Sequence, residues 1–189
     1  MLALFSVALA TEGSPAAEAR GGAFGRFSVS LGGSNEAEVW HRDMYPLLGL
    51  SIRGGLQAFA PWEFGGVIED GAVVLGHENS FVGLFAGAVS SGARRYHVSA
   101  EAGGHRMDPP QFCIFGCSDL PPRWVPFAGV NAGAEKHIGD EDGAALLGIH
   151  IGVRSDLQEA RWRRYAAHAG GWRWFLEFSV GLETQQTHQ

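Results

Sequence analysis

In the stretch Trp172-Arg173-Trp174-Phe175-Leu176-Glu177-Phe178-Ser179-Val180-Gly181-Leu182, every even-numbered position is apolar. Arg173, Glu177, Ser179 and Gly181 hold the odd positions, with Phe175 the one apolar exception. Successive side chains of a strand point to opposite faces, so this is a strand with one apolar and one ionic side. A soluble sandwich turns the apolar side into a core. A membrane barrel turns it to lipid and keeps the charges within.

The rest of the chain repeats the choice. Phe24 to Gly32 sets Phe27, Val29 and Leu31 against Ser28 and Ser30. Leu47 to Ala60 sets Leu48, Leu50, Ile52, Leu56 and Ala58 against Ser51, Arg53 and Gln57. Arg94 to Gly104 sets Tyr96, Val98, Ala100 and Ala102 against His97, Ser99 and Glu101. Arg123 to His137 sets Trp124, Ala128, Val130, Ala132 and Ala134 against Asn131 and Glu135. Gly143 to Arg154 sets Ala145, Leu147, Ile149, Ile151 and Val153 against Gly148, His150, Gly152 and Arg154, while Phe81 to Val89 is apolar on both faces.

Read backward from the last strand, the connections alternate long and short: 155–170, 139–142, the cysteine segment, 90–93, then 61–79. Long loops on one side and short turns on the other are the rhythm of an up-and-down barrel with both ends at the short-turn rim, which requires an even strand number. Seven strands are legible. The eighth is expected at Glu36 to His41, with hidden strand in Phe64–Val67 or Val73–Leu75 as the other option. The expected fold is all-β: a closed antiparallel up-and-down transmembrane barrel of about eight strands.

Composition agrees. Glycine is 28 of 189 residues, hydrophobic residues are 46% and charged residues only 18%. Disorder needs fewer apolar residues and more charge, and each glycine costs a helix about 1 kcal/mol relative to alanine. The net charge of −6 and a single lysine, Lys136, exclude a basic nucleic-acid footprint. Residues 1–19 read as a signal peptide or leader, with small-x-small sites at Ala8-Leu9-Ala10 and Ala17-Glu18-Ala19. Residues 20–183 then form the barrel and 184–189 a polar tail. Cys113 and Cys117, between Pro109-Pro110 and Pro121-Pro122, suit a disulfide in an exported protein. A metal site using them and His105 lacks a second Cys/His pair, and neither a metal nor a cofactor is expected.

With the apolar parity on lipid, the lumen receives Arg53, Gln57, His97, Ser99, Glu101, Asn131, Glu135, His150, Arg154, Arg173 and Glu177. Eight strands leave just enough width for side chains to fill the interior. Three arginines and three glutamates in that set predict a neutral ionic plug rather than a selective pore. Trp124, Trp172 and Trp174 next to long loops, and Tyr96 near the opposite rim, predict aromatic belts at the headgroups, with Phe59 and Trp62 placed just before a long loop. Arg161-Trp162-Arg163-Arg164-Tyr165 is a basic aromatic loop.

On alternation, loop rhythm and leader, the chain resembles the small outer-membrane β-barrel proteins of Gram-negative bacteria, the OmpA/OmpX type. It departs from them in ending on a polar tail after Phe178 and Leu182 rather than on an aromatic residue. The resemblance implies a cell outer-membrane location, contact with the lipid bilayer and lipopolysaccharide, a monomer, and a non-enzymatic structural or surface-interaction role through the outer loops. Two other readings stay open. A soluble exported barrel would hold an apolar ligand inside. His97-Val98-Ser99 is similar to the His-x-Ser element of outer-membrane lipid A deacylases, which would make His97 and Ser99 hydrolase residues, although Ala100 stands where that family has asparagine.

Overall fold

The computed structural model describes residues 22–34, 45–59, 61–73, 78–90, 94–108, 121–138, 144–162 and 167–185. Eight strands close into one barrel: β1 (Gly22–Ser34), β2 (Tyr45–Phe59), β3 (Trp62–Val73), β4 (Glu78–Val89), β5 (Arg94–Met107), β6 (Arg123–Ile138), β7 (Ala144–Asp156) and β10 (Trp172–Gln185). Each barrel strand pairs antiparallel with its neighbours. β1 pairs with β10 from Gly22↔Gln185 to Ser34↔Arg173, so the barrel has no open edge. A separate two-stranded ribbon, β8 (Ala160–Trp162) and β9 (Ala167–Ala169), rises from the connection between β7 and β10.

The strands run 12 to 16 residues, more than the roughly 9–11 a tilted strand needs to cross hydrocarbon. The strand ends joined by 35–44, 74–77, 108–122 and 157–171 lie at one rim. Those joined by 60–61, 90–93 and 139–143 lie with Gly22 and Gln185 at the other. At the second rim the Ser90 amide donates to the Tyr96 carbonyl at 2.8 Å, and the Tyr96 amide donates to Ser90 Oγ at 2.8 Å, fastening the turn between β4 and β5.

Two expectations change. The segment 61–79, expected as a long connection, contains β3, which is the eighth strand. Residues 36–41 lie outside the described residues, and β1 pairs directly with β2, so no strand stands between those two. The alternation of β3 is masked by Gly65-Gly66, Asp70 on the outer face and Val67 on the inner one. A Cβ on Gly65 would stand 2.1 Å from the Gly54 carbonyl oxygen and 2.6 Å from Gly55 Cα. The glycines that dilute the pattern are what lets β2 and β3 approach. Consequently Phe59 and Trp62 flank a short turn at the terminal rim, not a long loop.

The apolar parity faces outward. Phe27, Leu50, Ile52, Leu84, Ile149, Ile151, Trp172, Trp174, Phe178 and Val180 are exposed, up to 73% for Leu84, while Arg173 and Glu177 are buried. Phe175 is inside as its parity demands, because Gly152 opposite leaves it room: a Cβ there would lie 2.1 Å from Phe175 Cζ. The run 81–89 is apolar on both faces because Phe81 and Phe85 fill the lumen while Val82 and Leu84 point out.

Candidate functional site

Inward-facing residues of all eight barrel strands meet in the lumen. Arg53, His97, Ser99, Glu101, Asn131, Glu135, His150, Arg154, Arg173 and Glu177 are all buried there, and Gln57 is partly buried near the terminal rim. Arg26, Glu63, Glu69, His105 and Glu183 join them. Glu63 and Glu69 escape the sequence reading because β3 does. Arg26 sits on the parity of Ser28 and Ser30 and was legible by that rule. Among the described residues four arginines (Arg26, Arg53, Arg154, Arg173) and six glutamates (Glu63, Glu69, Glu101, Glu135, Glu177, Glu183) are buried, not three of each.

Several of these charges are matched by an opposite charge beside them, which is what makes a buried ion tolerable. Arg154 binds Glu69 through Nη1 and Glu101 through Nε, the latter at 2.9 Å, and Glu101 also binds Arg53. Phenylalanines line the guanidinium planes. Arg154 Cζ lies 4.5 Å from the Phe175 ring centre, Arg173 Cζ 3.4 Å from Phe81, and Arg53 Cζ 4.7 Å from Phe85. Towards the loop rim, Arg173 Nη2 donates to His105 Nε2 at 3.1 Å. That leaves Nδ1 as the protonated nitrogen, donating to Asp156 Oδ1 at 2.8 Å.

Glu177 accepts from Ser51 Oγ at 2.7 Å and from Asn131 Nδ2 at 3.4 Å. Towards the terminal rim, Arg26 Nη2 reaches Glu135 Oε2 at 2.9 Å and Glu63 Oε2 at 3.4 Å. Half-buried Arg95 and His137 share Glu183 Oε2 at 2.7 and 2.8 Å. Between these groups the rings of His97 and His150 meet edge to face, centroids 4.4 Å apart.

A hydrolytic relay needs the serine hydroxyl bonded to the imidazole. His97 and Ser99 share the lumen face, but Arg53 Nη1 donates to Ser99 Oγ at 3.4 Å, and neither ring nitrogen of His97 has a hydrogen-bond partner. The Ser–His contact is not made, and both residues are shut away from the lipid-facing surface. Trp124, Trp172 and Trp174 are exposed at the loop rim and Tyr96 is exposed near the terminal rim. Cys113 and Cys117, the leader and the last four residues of the tail lie outside the described residues. Arg161 is exposed beside Glu159 at 3.2 Å.

No protein-family model and no curated protein matches the sequence. The fold is nevertheless found among solved structures. Neisserial surface protein A superposes with a TM-score of 0.58 at 10% identity, covering 87% of this chain and 97% of that one. The N-terminal β-barrel domain of Pseudomonas aeruginosa OprF aligns more loosely, with a TM-score of 0.46 and 13% identity over 85% of this chain and 96% of that one. With the apolar face outward, the charges inside and this shared fold, the chain has the architecture of the small outer-membrane β-barrels of the OmpA/OmpX type: a closed, antiparallel, up-and-down transmembrane barrel of eight strands.

Proposed function

We propose that this protein resides in a Gram-negative outer membrane as a non-enzymatic, non-conducting monomer, serving a structural or surface-interaction role through its outer loops. The observation that carries the reading is the inverted burial of β10, with tryptophans outside and Arg173 and Glu177 within. An apolar exterior suits hydrocarbon, and an eight-stranded interior only wide enough for side chains to fill supports a closed plug over a channel or a ligand-holding barrel. At the loop rim Arg106 pairs across the sheet with Trp124, which Arg123 immediately precedes in β6. Guanidinium groups flanked by interfacial aromatics suit the phosphorylated headgroups of lipopolysaccharide.

Fractionation tests the location. The protein should sediment with detergent-extractable envelopes and migrate differently on gels before and after heating; recovery in an osmotic-shock fraction would instead favour the soluble barrel. In planar bilayers the purified protein should carry no steady current. Lipid A acylation should be the same in cells producing wild type, Ser99→Ala or neither, and a wild-type-dependent loss of an acyl chain would restore the hydrolase reading.

A further inference from the structure

The pairing register puts His97, Gly133 and His150 on one cross-strand row, with Arg95, Glu135 and Gly148 on the row beside it. The glycines make room for the rings. A Cβ at Gly133 would lie 2.4 Å from His150 Nδ1, and one at Gly148 would lie 2.6 Å from His150 Nε2 and 3.0 Å from Glu135 Cγ. Two imidazoles and a carboxylate from three adjacent strands thereby converge, with donor atoms all within 4.8 Å of one another.

The geometry points to a binding site for one divalent first-row transition ion of the zinc class, held by His97, Glu135 and His150. His97 Nε2 lies 4.0 Å and His150 Nε2 3.5 Å from Glu135 Oε1. Tetrahedral zinc with bonds of about 2.0–2.1 Å holds its donors about 3.3 Å apart, so the two imidazole–carboxylate separations must shorten by about 0.2 and 0.7 Å, and no donor pair, all being within 4.8 Å, by more than about 1.5 Å. The site has the unsatisfied groups that a ligand would satisfy. His97 is 2% exposed, yet both of its ring nitrogens, Glu135 Oε1 and Glu63 Oε1 lack hydrogen-bond partners. Buried polar atoms are otherwise almost always paired.

Glu63 Oε1 faces the other His97 nitrogen, Nδ1, at 3.6 Å, where a carboxylate would orient a metal-bound imidazole. The buried glutamates outnumber the buried arginines. With Glu183 served by Arg95 at the rim, the remaining interior still carries one carboxylate more than it has arginines. Imidazole with carboxylate selects zinc-class ions over calcium or magnesium, which take oxygen ligands.

Two present contacts must yield. The Ser179 hydroxyl, 2.8 Å from His150 Nε2, turns away from that nitrogen. Arg26 Nε, 2.6 Å from Glu135 Oε1 without hydrogen-bond geometry, moves towards Glu63. A bound ion would tie β5, β6 and β7 together from within the plug.

The test uses the full chain, free of any affinity tag, refolded in detergent and stripped of metal. Titration calorimetry with Zn2+ should saturate at one equivalent, and Co2+ should give the visible absorption of a four-coordinate nitrogen–oxygen site. His97→Gln and His150→Gln should each weaken zinc binding by more than the roughly 10–100-fold that loss of a supporting group causes, and Glu63→Gln by about that amount. His137→Gln, outside the cluster, should leave the titration unchanged. Retained heat-modifiable migration shows that a variant is folded. Failure of wild type to bind a stoichiometric ion overturns the assignment without reference to any variant, as does full binding by a folded His97→Gln/His150→Gln protein.

Discussion

Arg154 is 1% exposed and has two carboxylates and three phenylalanine rings around it. Desolvating a guanidinium is tolerable only because Glu69 and Glu101 remain on it. Arg154→Met should therefore cost about 3–5 kcal/mol by stranding those carboxylates. The urea midpoint of the detergent-refolded protein reports it. Adding Glu69→Gln should recover part of the loss, since Glu101 keeps Arg53. A change below about 1 kcal/mol would mean that the pair is wet, as at a surface. Parity alone was enough to place Arg154 and ten other residues at the lumen. It could not say who pairs with whom: Arg154 and Glu69 are 85 positions apart, and their meeting depends on how far round the barrel each strand sits. Nor could it foresee that the inward phenylalanines are covers for arginines rather than breaks in the pattern.

Seven strands were legible because runs of several apolar residues mark one of their faces. β3 was not, because Gly66 and Asp70 break its outer row; topology demanded an eighth strand, with Phe64–Val67 only the second option after Glu36 to His41. The outer rows also supply a solvent test. Ile149, halfway along β7, and Ile138, at the end of β6, are both exposed. In hydrocarbon, Ile149→Arg should cost about 2–4 kcal/mol and Ile138→Arg only about 0–1 kcal/mol. In water both would fall within about 0.5 kcal/mol of wild type. Equilibrium unfolding of the two variants in lipid vesicles separates the cases.

For the molecule as a whole, the register puts all three long connections at one rim and both barrel termini at the other. With Cys113 and Cys117 replaced by serine, Glu159→Cys should react with an impermeant maleimide on intact cells. Arg94→Cys should react only after the envelope is opened. The reverse pattern would invert the topology. The seam between β1 and β10 has a consequence for biogenesis. Until the final strand docks, the rims of β1 and β7 present amide and carbonyl groups that hydrocarbon cannot solvate, at several kcal/mol each. A chain short of its last strand leaves those groups facing hydrocarbon, so closing the β1–β10 seam and settling stably in the bilayer come together.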